Sequence, residues 1–115
     1  MPEDQNQNWG TTDTGIKPNI AALLSYLLGF VTGLIFLLIE KNNKFVRFHA
    51  LQSIATFGFI FVVQWVASFI PVLGPVVSGL LSIVAVILWI VLMVKAYQGE
   101  KYKLPWLGDI AEKNS

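Results

Sequence analysis

The chain's one histidine, His49, stands four residues before Ser53, and Arg47 lies two residues before it. A four-residue spacing stacks two side chains on one helix face. A hydroxyl nucleophile beside an imidazole base is therefore the first chemistry to consider. A hydrolase would further need an acid to orient the imidazole and donors for an oxyanion. Glu40 lies across a turn, and nothing in the sequence places it. The competing reading is a helix-start histidine bonded to a nearby loop or tail. Arg47 offers its guanidinium to an anionic lipid headgroup, or to an acid near the C-terminus such as Asp109 or Glu112. With a single His and no Cys there is no thiol nucleophile and no thiolate or His-cage metal site. HExxH, GxxxxGK[ST] and GxSxG patterns are absent. The expectation is a protein without catalytic residues, cofactor or metal.

These residues belong to one charged knot, Glu40 to Ser53, set between long uncharged stretches. It carries three of the eight Lys/Arg residues. Charged residues make up 13% of the 115 and hydrophobic ones 55%, against about 25% charged in a typical soluble domain. The apolar excess falls in three blocks. The reading is all-α: a small integral membrane protein with three transmembrane helices and an interfacial C-terminal segment. A net charge of +1 and no basic stripe interleaved with aromatics leave nucleic-acid binding unsupported.

Residues 1–18 read as a disordered polar tail, too poor in apolar residues to offset the cost of ordering. Trp9 either dips into the headgroups or is a stray aromatic. The start is acidic where a secretory leader is basic, so the first apolar block reads as a retained anchor. The transmembrane domain covers 19–95. Its first span, about 20–39, is uncharged and long enough for a ~30 Å hydrocarbon core. Ala22, Ser25, Gly29 and Gly33 recur along it at helical spacing, a ridge that lets helix backbones approach closely. That ridge serves packing within the chain or pairing with a second copy.

Lys41–Lys44 reads as a turn, and a second span runs over about 45–70. Arg47, His49 and Gln52 fall in its first turns, and Gln64 is the one amide well inside a span. An amide in hydrocarbon needs a partner, so the face shared by Ser53 and Gln64 points at other helices, or lines a polar path. Pro71–Pro75 breaks the chain, and a third span covers about 76–94. Residues 96–115 carry Tyr97, Tyr102, Trp106, Asp109 and five further acids and lysines around them, the makeup of an interfacial segment.

Three spans place the termini on opposite sides. The Lys/Arg count is then seven, on the knot and C-terminal tail, against one. The positive-inside rule puts the N-terminus outside and the C-terminus in the cytoplasm, with the cell membrane as the location. The expected partners are the bilayer, and a second copy or another membrane protein.

The run Lys44-Phe45-Val46-Arg47-Phe48-His49-Ala50-Leu51-Gln52-Ser53 resembles the signature of a family of small uncharacterised prokaryotic membrane proteins. Gly15 to Tyr26 and Leu104 to Lys113 resemble its flanking pieces. That family is related in sequence to the twenty-kilodalton component of the chloroplast inner-envelope import translocon (Tic20-like). The resemblance implies a helical membrane bundle and brings no catalytic residues. The functional expectation is a structural, accessory or regulatory membrane protein acting through helix or protein contacts. The alternatives are a part of an oligomeric conduit or translocation assembly and, more remotely, a membrane-surface enzyme.

Overall fold

The computed structural model describes residues 9–115. Of the polar tail expected over 1–18, residues 1–8 lie outside the described residues. The described chain forms five helices: α1 (Pro18–Leu27), α2 (Phe30–Ile39), α3 (Lys44–Ala67), α4 (Leu73–Tyr97) and α5 (Leu107–Asn114).

The first apolar block is not one span. It breaks at Gly29, whose φ of 64° and ψ of −136° are open to glycine and strained for residues with a Cβ. The two pieces have 10 residues each, about 15 Å apiece, half of a ~30 Å hydrocarbon core. They fold back on each other as a hairpin. At its open end the Asn19 Nδ2 donates to Tyr97 O, and the Glu40 carboxylate just past α2 accepts from Asp13 N. At its tip Gly29 lies beside Phe57, midway along α3. The hairpin therefore enters and leaves at the same end of the bundle.

Backbone broken at that depth must find its hydrogen-bond partners inside the protein, and it does. Leu28 N donates to Thr32 Oγ1 (3.0 Å), and the same hydroxyl donates to Ser25 O (3.2 Å). Ser53 Oγ donates to Gly29 O (2.9 Å), and Trp89 Nε1 to Tyr26 O (2.8 Å). Close approach completes the seat. A Cβ on Gly33 would lie 2.9 Å from Ala50 O, so Gly33 serves close packing between α2 and α3, while Ala22 and Ser25 of the expected ridge fall on α1.

Two helices, α3 and α4, are long and apolar enough to cross a membrane, with 24 and 25 residues. The three-span expectation is corrected to two, because the 20 uncharged residues that would make the third are folded double. Asn43 starts α3, its side chain accepting from Val46 N at 3.0 Å. Pro75 falls in the first turn of α4, where its missing N–H has no helical partner to lose. The faces of α4 away from α1 are exposed, from Val76 through Leu80, Ile83 and Ile87 to Ile90.

The core sits at the charged end. Phe45, Val46, Phe48, Ala50, Ala21, Ala22, Tyr26, Leu92 and Ala96 are all buried there. The first three turns of α3 are its centre, enclosed by α1, α2, α5 and the segments at both ends of the chain.

A continuous helix and a broken hairpin respond oppositely to one substitution. Gly29→Ala in a helix interior would stabilise by about 0.5–1 kcal/mol. At the positive φ seen here it is expected to destabilise by about 1–3 kcal/mol. Thermal unfolding in detergent decides between the two signs.

Candidate functional site

The candidate site is a buried polar chain crossing the charged end of the bundle. The 3.6-residue repeat brings His49, Gln52 and Ser53 to inward faces of α3, and each is fully buried. His49 Nε2 lies 2.8 Å from Glu100 O. A carbonyl only accepts, so Nε2 carries the proton and donates. Nδ1 is then an acceptor, and it takes the Tyr26 hydroxyl proton at 2.6 Å. The Tyr26 oxygen in turn accepts from Gln52 Nε2 at 3.0 Å. The second amide proton of Gln52 goes to Tyr102 O (2.8 Å), and its Oε1 accepts from Leu104 N (2.9 Å). Donors and acceptors alternate along the chain with none left over, which is what buried polar groups need to persist. The rings of Tyr26, Phe45 and Phe48 meet the imidazole edge-on.

This arrangement ties the knot to the C-terminal segment, as residues 98–104 run back along α3. It does not assemble a nucleophile and base. Both imidazole nitrogens are engaged, and the Ser53 hydroxyl bonds Gly29 O. Four-residue spacing placed the two side chains on one helix, yet different neighbours claimed them.

The remaining expected residues separate. Arg47 pairs with neither Asp109 nor Glu112: its Nη1 donates to Leu37 O (3.1 Å) and its Nε to Ser115 O (3.3 Å). Glu112 is held instead by Lys101 at 3.1 Å. Asp109 is exposed in the first turn of α5. Gln64 lies away from the site and ties α3 to α4, donating to Ser82 Oγ (3.2 Å) and accepting from Ser78 Oγ (3.3 Å). Trp106 is 83% exposed at the turn before α5.

A second polar cluster closes the same end, and sequence reasoning missed most of it. Trp9, read as headgroup-bound or stray, stacks on Phe45 with ring centroids 4.4 Å apart and donates to Gly99 O. Asn43 Nδ2 donates to Trp9 O and Thr11 O. Two carboxylates clasp the N-terminal segment reciprocally. Glu40, fully buried, accepts from Asp13 N, Thr14 N and Thr14 Oγ1. Asp13 accepts from Asn42 Nδ2, Lys41 N and Asn42 N. The Asn42 amide first, then these backbone N–H groups and the Lys41 charge, hold the Asp13 carboxyl below its ordinary value. Acid-amide-acid patterns across 28 residues carry no local sequence signal.

Two outcomes are expected. Gln52→Leu leaves Tyr102 O and Leu104 N without partners at a cost of about 1–3 kcal/mol each if both stay buried, read as earlier thermal unfolding and faster proteolysis after Tyr102. A carboxyl with a depressed folded pKa stabilises above its ordinary pKa and loses that effect as pH falls through the lowered value. The N-terminal clasp should therefore hold at neutral pH and loosen below about pH 4, seen as faster exchange of the Lys41 and Asn42 amides. Asp13→Ala should show that fast exchange already at neutral pH.

A membrane protein of Methanocaldococcus jannaschii, described as a UPF0132 membrane protein, is 52% identical over 106 residues, covering 92% of this chain and 96% of its own. A second from that organism is 50% identical over 99 residues, 86% of this chain and 71% of its own. One from Archaeoglobus fulgidus is 49% identical over 98 residues, 85% and 95% of the two chains. No solved structure matches the chain. The kinship to the chloroplast translocon component receives no support from these prokaryotic relatives. The model of one family, described as magnetosome magnetite crystal formation proteins, matches residues 12–111, which takes in the N-terminal clasp, the hairpin, both long helices and the C-terminal segment. On that match and these identities, the chain belongs to the magnetosome magnetite crystal formation protein family.

Proposed function

We propose that this protein is a non-enzymatic membrane accessory protein that holds a compact headpiece on one side of the bilayer and acts through protein contacts made there. The headpiece consists of residues 9–17, the turn between α2 and α3, the C-terminal segment and α5. One observation carries the reading: Trp9 Nε1 donates to Gly99 O, joining the two ends of the chain over the start of α3. With two crossings and a half-depth hairpin, both described ends lie on one side. All eight Lys/Arg residues fall there as well. The positive-inside rule then makes that side cytoplasmic, so the segment from Trp9 onward joins the C-terminal segment there instead of facing outward.

The side chains that sequence spacing offered for chemistry support a binding role. His49, Gln52 and Ser53 are buried and engaged. Gln64, the residue that would line a conduit, is engaged with two serines. Among the described residues no group of three or more His, Cys, Asp or Glu is placed to hold a metal ion.

The chain has no native cysteine, so single cysteines report sidedness cleanly. Thr11→Cys and Asn114→Cys should react with an impermeant maleimide from the same side of sealed membranes, and Val72→Cys from the other. Reaction of positions 11 and 114 from opposite sides would overturn the one-sided arrangement. A photoreactive group at exposed Ile110 should capture a discrete protein in native membranes. Phe48 is unsuitable for this, being fully buried. Capture of lipid alone at Ile110 sinks the accessory reading.

A further inference from the structure

Two turns at distant places in the chain share one unusual conformation. Ile70-Pro71-Val72-Leu73-Gly74 opens α4, and Leu104-Pro105-Trp106-Leu107-Gly108 opens α5. Each has proline, then a bulky residue at positive φ, then leucine and glycine. Val72 has φ 68° and ψ −60°, and Trp106 has φ 63° and ψ −53°. Leucine N–H donates back to the proline carbonyl at 2.7 Å in both, and glycine N–H to the residue before proline at 3.0 and 2.8 Å. This is the tight γ-turn, rare and strained for a residue with a Cβ. The glycine is required in both. A Cβ would lie 2.0 Å from Ala67 O at Gly74, and 2.6 Å from Lys103 Cα at Gly108.

Strain of this kind persists where it serves something. Within the protein it serves little for the side chains themselves, since Val72 is 84% and Trp106 83% exposed. A β-branched residue and an indole, the poorest choices for that backbone, are turned outward. The two turns are also spaced in a telling way. Leu104 N is bonded to Gln52 Oε1 on α3, while the first turn follows α3 at Ile70. Gln52 lies in the third turn of α3 and Ala67 ends it, so about 22 Å of helix separates the levels of the two turns, which stand toward opposite ends of a helix long enough to cross a membrane. Exposed Tyr102 lies close before Trp106, and Lys103 precedes the turn. That is the residue mix favoured at a lipid interface.

We infer that the Pro71–Val72 and Pro105–Trp106 turns are paired lipid anchors, each pressing one apolar side chain into the interfacial zone of an opposite leaflet. The protein clamps the bilayer between them. Trp106, closing the turn beside Gln52, couples the bilayer to the buried polar chain through the backbone of Leu104.

The test uses spin labels on single cysteines in vesicles of phosphatidylcholine and phosphatidylglycerol, with collision by oxygen and by a water-soluble nickel chelate as the readout. Labels at Val72→Cys and Trp106→Cys should read as interfacial, between Ile83→Cys in the acyl region and Asn114→Cys in water. A label at 106 that matches 114, or one shielded from both reagents, overturns the anchor. Trp106→Gly gives a second arm, because it removes strain and indole together. It should keep or raise the thermal midpoint in detergent, while protease cuts the C-terminal segment several-fold faster in vesicles. A lowered midpoint in detergent would show that the indole supports the fold and not the bilayer attachment, and the proposal fails.

Discussion

A polar group taken out of water must be bonded, and at the charged end of this protein that requirement governs everything around it. Tyr26, His49 and Gln52 come from two different helices, and none of them can complete its bonds from its own helix. The missing partners are backbone groups of residues 100–104. Burying three polar side chains therefore dictates where a stretch without regular structure must run. The C-terminal segment is drawn back along α3, and α5 is carried with it.

The same rule shapes the hairpin. Breaking a helix inside an apolar bundle frees backbone groups that must find partners within the protein. Thr32 and Ser53 supply hydroxyls at the break, and Trp89 reaches over from α4 to the last turn of α1. Ser53 thus has a structural task at the tip, while His49 one turn earlier has one at the polar chain. The signature run from Lys44 to Ser53 reads as the packing centre for four neighbouring segments, which is reason enough for its distinctive composition.

Much of this was legible and some was not. The polar turn at Lys41–Lys44 before an apolar run announced the start of α3, and the arginine and histidine of its first turns pointed toward the C-terminal segment, which does lie against them. The Arg47 partner was misjudged because charge attraction suggests an acid, whereas the nearest acceptors were the carbonyls of Leu37 and Ser115. Trp9 was unreadable, since its value lies in Phe45, Gly99 and Asn43, all distant in sequence.

By itself the sequence determined the environment and the material. Uncharged runs separated by charged ends impose a bilayer and helices, because backbone in hydrocarbon must bond to itself. The tertiary structure decided how many of those runs form a helix long enough to cross. Twenty uncharged residues are equally content as one span or as two half-depth pieces. Hydropathy cannot tell them apart, since both remove the same side chains from water. The choice rested on Gly29 taking a positive φ and on Thr32, Ser53 and Trp89 arriving to bond the broken turn. Those meetings exist only once α3 and α4 stand beside the hairpin.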